Sequence, residues 1–186
     1  MTTSRGPRAL FPWLMLAASP CLVGLAGPAR AQSPAAHQHG QVDLAIGLDG
    51  PMLTLALEAP LDSLVGFEHA PRTAAQRQLA QALLARLRVP TGLFTPDPAA
   101  GCTPGAAELD AGVLEPGAKP SANGHAELSA TYTWTCTSPA ALRSVDLAGL
   151  MSAAPRIARV NTQVAGPQGQ FKVTLRRPAT VLRWGR

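Results

Sequence analysis

The 186-residue chain lacks the signatures of the common enzyme sites. No glycine-rich phosphate loop follows a strand-like run, and neither Gly-x-Ser-x-Gly nor His-Glu-x-x-His occurs. Those patterns carry phosphate cradles, nucleophilic serines and helical zinc-protease sites. Without them the chain is not expected to be an enzyme, and a hydrolase of another design is a remote alternative. Charged residues are sparse at 15%, and aromatic ones sparser at 4%. No basic run and no aromatic platform stands out, so nucleic acid is not an expected partner. Three cysteines and four histidines complete the short supply of reactive side chains.

What is present begins with a leader. Arg5 and Arg8 precede an apolar run from Ala9 to Leu25, and Ala29-Arg30-Ala31 supplies a small-x-small site. That order predicts a signal peptide over residues 1–31 and a mature chain from Gln32. The run contains Pro12 and Pro20 and is short for a membrane span, so a retained anchor is the weaker reading. Cleavage would remove three of the sixteen basic residues and none of the eleven acidic ones. Thirteen against eleven then leaves a net charge of +2 rather than +5. Cys21 would leave with the leader. Cys102 and Cys136 remain, and an even count in an exported chain predicts one disulfide, with a thiolate metal pair as the rival.

Along the mature chain, Val42, Leu44, Ile46 and Leu48 alternate with less apolar residues, as do Leu53, Leu55 and Leu57. Asp49-Gly50 lies between the two runs, which predicts a β-hairpin. If the first strand extends backward, His37 and His39 share its polar face with Asp43. Leu61, Leu64 and Val65 suggest a short helical turn. Thr73-Ala-Ala-Gln76 resembles a capping box ahead of a helix carrying Leu79, Leu83, Leu84 and Leu87 and ending before Pro90. Residues 91–123 are rich in Pro and Gly and read mostly as loop, with one short strand around Leu109, Val113 and Leu114. Leu128, Ala130, Tyr132 and Trp134 alternate as another strand. Residues 142–151 suggest a short helix. Val160 and Val164, then Phe171, Val173 and Leu175, form a second hairpin, and Val181 to Trp184 a final edge strand. The expected class is α+β, with antiparallel hairpins packed against short helices. A weak echo between His39 and His125, each ahead of an acid-Leu strand, leaves open two related lobes, 37–90 and 124–186, joined by 91–123.

The four histidines fall at element starts or turns and not inside apolar stripes. His69 lies in Gly66-Phe-Glu-His-Ala-Pro71, where Pro71 disfavours helix at Ala70. Neutral imidazole suits zinc, which takes four ligands. The plain alternative is four surface or capping histidines. Glu68 beside His69 is a weak acid/base pair, since neighbours in extended chain point apart.

His37-x-His-Gly, Gly66-Phe-Glu-His-Ala-Pro71 and Gly124-His-Ala-Glu-Leu128 together resemble motifs of the ZrgA-like family of periplasmic zinc-binding proteins, over nearly the whole mature chain. The resemblance implies a periplasmic accessory of zinc uptake, with zinc as the bound ion and the solute-binding protein of a zinc ABC importer as a partner. It implies His37, His39, His69 and His125 as ligands, with Glu68 and Glu127 close enough to be considered. The His- and acid-rich tract common in the family is missing, since residues 107–123 contain no histidine. A single histidine-based site is therefore expected in place of a multi-zinc loop. An envelope interaction module that binds no metal is the alternative function.

Overall fold

Alternation between apolar and polar residues builds most of the structure. The computed structural model describes residues 38–118 and 126–185. The signal-peptide expectation, His37 and His125 lie outside the described residues. In β1 (Gln41–Asp49) the even-numbered residues Val42, Leu44, Ile46 and Leu48 are buried, while Asp43 and Ala45 are exposed. In β2 (Met52–Pro60) the odd residues Leu53, Leu55, Leu57 and Ala59 are buried. Asp49 pairs with Met52 across the tight turn, where Gly50 takes φ +52°, a left-handed conformation that suits glycine. The predicted hairpin is thus present.

α1 (Leu61–Val65) follows β2 directly and ends at Gly66, whose φ of +85° turns the chain out of the helix. α2 (Ala74–Leu87) opens on the expected capping box: the Thr73 hydroxyl accepts from the Gln76 N–H, and the Gln76 side chain accepts from the Thr73 N–H. Its buried stripe is Ala80, Leu83, Leu84 and Leu87. Leu79, expected on that stripe, is 48% exposed, because the inward face starts one residue later.

The remaining strands are β3 (Thr95–Pro96), β4 (Cys102–Asp110), β5 (Glu127–Cys136) and β6 (Ser144–Asp146). After α3 (Ala148–Ala153) come β7 (Arg159–Gly166), β8 (Gly169–Arg176) and β9 (Val181–Arg183). Two expectations are corrected here. The Pro/Gly-rich region contains a nine-residue strand, β4, which the Cys102–Cys136 disulfide fastens to β5. The apolar run at 142–151 is not one helix. It is β6 followed by α3, because Ser144–Asp146 pairs with β3 on one side and β9 on the other.

The main sheet runs β4-β5-β2-β1-β7-β8, and β3-β6-β9 form a second, three-stranded sheet. Every neighbouring pair is antiparallel except β1 with β7. Both segments considered as lobes supply strands to this one sheet, since β2 pairs with β5 and β1 with β7. Cross-strand partners share a face, and Leu44, Leu57, Ala130, Val42 and Val160 fall on the buried one. The helices and the small sheet cover that face in one continuous core. Phe94, Tyr132 and Trp134 pack at its centre, with ring centroids 5.1–6.4 Å apart. Fully burying a side chain of this kind contributes roughly 1.5–3 kcal/mol. Among the described residues no helix is long and apolar enough to cross a membrane.

Candidate metal centre

The end of the sheet where β1 begins and β2 passes into α1 gathers the chemistry. β1 does not extend back through His39, as the sequence suggested. Residues 38–41 form a turn instead, with the Gln41 N–H donating to the Gln38 carbonyl at 3.1 Å. Gly40 takes φ +74° there, and a Cβ at this position would lie 3.1 Å from the Arg156 carbonyl. His39 therefore leaves the strand's polar face, and the parity that paired it with Asp43 does not apply. Buried Ser63 on α1 ties the turn down. Its hydroxyl accepts from the Gly40 N–H at 2.9 Å and donates to the Gln41 carbonyl at 3.1 Å.

So held, His39 meets Asp62 on α1, with Nδ1 2.5 Å from Oδ2. A carboxylate only accepts, so Nδ1 carries a proton, and in the neutral ring the lone pair is therefore on Nε2. The pKa of His39 is raised above 6.5, first by this hydrogen bond and next by the charge of Asp62; Glu68 pushes the same way and Arg156 opposes. Asp62 is itself fixed. Its carbonyl accepts from Arg156 Nε at 2.9 Å and from the Gly66 N–H at 3.0 Å. Its carboxylate lies 3.6 Å from the Arg156 guanidinium.

His69 is oriented by different means. Its Nδ1 lies 2.9 Å from the Ala70 carbonyl, to which it donates, and its ring stacks on Phe67 with centroids 5.2 Å apart and planes 24° from parallel. Its Nε2 is again the free nitrogen. The loop that carries it leaves α1 at Gly66. Glu68 is exposed. Glu127 opens β5 opposite Pro60. The Leu61 N–H donates to the Ala126 carbonyl at 2.9 Å, so the residue that follows His125 in the chain is bonded to the residue that precedes Asp62. Among the described residues, no three His, Cys, Asp or Glu side chains are grouped to hold a metal ion. Asp62, Ser63 and Arg156 were not singled out from the sequence. An acid and a serine after Pro60, at the start of a short apolar helix, were the available signal.

Residues 36–184 match the family described as ZrgA family zinc uptake protein. The chain belongs to the ZrgA family. No curated protein matches it. The family's description ties it to zinc uptake, and neutral imidazole is a donor type that zinc accepts. Two imidazoles offer Nε2, and each has its Nδ1–H engaged by an oxygen acceptor, the arrangement that fixes the tautomer of metal-binding histidines. The Asp62–His39 pair has the form of the carboxylate–histidine unit that accompanies zinc.

Proposed function

We propose that this ZrgA protein is a periplasmic zinc carrier and not an enzyme. It binds one ion per chain through histidines and supplies it to the solute-binding protein of a zinc ABC importer. The observation that carries this reading is that both described candidate histidines, His39 and His69, keep Nε2 free while Nδ1 is held. Ordered imidazoles lose less entropy on ligation than free ones. His37 and His125 enter as the other two ligands from the family motifs. Family membership supports zinc as the ion, and the leader pattern supports export.

Calorimetric titration of the untagged mature protein with zinc at neutral pH tests this. One ion per chain is expected, with weaker binding in His39→Ala and His69→Ala. A parent that binds no zinc would leave the interaction-module reading. Two bound ions, or binding indifferent to both substitutions, would refute the single histidine site.

A further inference from the structure

We infer that Asp62 is a positioning residue, which turns His39 Nε2 toward the ion without ligating it. This rests on the proposed zinc site and names how one of its ligands is prepared. The His39 side chain is 78% exposed, so packing does little to fix its ring. An imidazole in water rotates about two bonds and exchanges its proton between two nitrogens. The 2.5 Å contact with Asp62 Oδ2 removes both freedoms, because it selects one ring orientation and one tautomer.

Asp62 is suited to this because it is far less free than the ring it holds. Its side chain is 15% exposed. Its carbonyl receives two hydrogen bonds, from Arg156 and Gly66, while the neighbouring Ser63 clamps the turn that bears His39. Helix, turn and the approach to β7 are thus joined at the backbone of Asp62 and the side chain of Ser63, and the imidazole takes its direction from the carboxylate mounted there. His69 needs no such partner, since the Ala70 carbonyl and the Phe67 ring serve it within its own loop. The carboxylate also withdraws positive charge from the ring on metal binding, which makes Nε2 a stronger donor. Arg156, 3.6 Å from Oδ1, opposes direct ligation by Asp62, because the cation would then sit beside a guanidinium.

The test uses the full mature chain without a tag, as parent, Asp62→Asn and Asp62→Ala, with retained fold checked by circular dichroism. Long-range ¹H–¹⁵N spectra of the metal-free proteins, at a pH where His39 is neutral, should show the Nδ1–H tautomer in the parent. Asp62→Ala should show the mixture of a free imidazole. The amide oxygen of Asn can still accept from Nδ1–H, so Asp62→Asn should keep the parent tautomer. Zinc titration should show a loss of about 10- to 100-fold in Asp62→Ala and a smaller one in Asp62→Asn. Equal and complete loss in both variants would make Asp62 a ligand and overturn the inference. An unchanged tautomer in Asp62→Ala would overturn it as well. A parent that binds no zinc ends the zinc reading, and the spectra then still decide whether Asp62 sets the ring.

Discussion

Ser63→Ala is the most direct way to disturb this end of the molecule without touching a histidine. The Ser63 side chain is fully buried, and its hydroxyl makes two hydrogen bonds to the 39–41 turn. Alanine removes both and leaves the Gly40 N–H without its acceptor. A buried hydrogen bond contributes about 0.5–1.5 kcal/mol net, and stranding one partner costs about 1–3 kcal/mol. Both contacts are only partly buried, so water can replace some of what is lost. A loss near 2 kcal/mol is expected. Urea denaturation should show a lower midpoint at constant slope. If the turn detaches locally instead, the global loss will be smaller, and the Gly40 amide will exchange faster by about 30-fold, the equivalent of 2 kcal/mol. A global loss below about 0.5 kcal/mol together with unchanged exchange at Gly40 would refute the tether.

Replacing both Cys102 and Cys136 with Ala opens a loop of sequence separation 34; chain entropy puts the cost at about 4 kcal/mol. β4 amides should lose exchange protection first, and a loss confined to other strands would contradict the edge-fastening role. Gly66→Ala puts a side chain into φ +85° with its Cβ 3.1 Å from the Arg156 guanidinium, and should cost about 1–2 kcal/mol in thermal or urea unfolding; an unchanged midpoint would show that this turn relaxes freely. In the metal-free protein His39 should titrate above 6.5, and Asp62→Asn should bring it back toward that value. A raised folded-state pKa means that the contact favours the folded state below the ordinary histidine pKa and that this contribution fades as pH rises through the raised value. An NMR titration of His39 that is unaltered by Asp62→Asn would contradict it.

The hairpins were legible because one face of the sheet is buried and period-two patterning survives in it, as at Val42 to Leu48 and Leu128 to Trp134. β4 was not legible for the opposite reason. It is an edge strand with Thr103, Pro104, Gly105 and Glu108 exposed, and an irregularity between Pro104 and Ala107. No alternation is demanded of such a strand, and its disulfide does part of what packing does elsewhere. The run 142–151 misled because three residues are enough to pair between two strands, and so short a strand leaves no period to read. Around the candidate metal centre, His39 and His69 stood out by motif. Their partners did not: Asp62 is 23 residues from His39, and Arg156 is 94 from Asp62. Contacts of that separation are set by the sheet, not by local spacing. The parity argument for His39 failed at one residue, Gly40, whose positive φ ends the strand.

The His39–Asp62 contact admits two uses, and they make opposite demands. As an ion pair it needs the imidazolium; as a ligand mount it needs the neutral ring with its proton on Nδ1. Exposure weighs against the first use. A charge on a side chain this open to water is screened, and surface ion pairs of this kind add little to stability. Yet the main-chain carbonyl of the acid that meets it accepts from the Arg156 side chain and from the Gly66 N–H, beside a buried serine that holds the histidine's own turn. A frame so specific is more than a weak surface pair requires, whereas a ligand whose direction must be set before the ion arrives requires just such a frame. The two uses separate with pH. An ion pair strengthens as the ring is protonated, while zinc and the proton compete for the same Nε2. Zinc affinity of the parent should therefore rise as pH increases through the His39 titration, and that rise should shift to lower pH in Asp62→Asn, because the ring there gives up its proton more readily. Affinity that is flat across this range would assign the contact to the ion pair and move the metal away from His39.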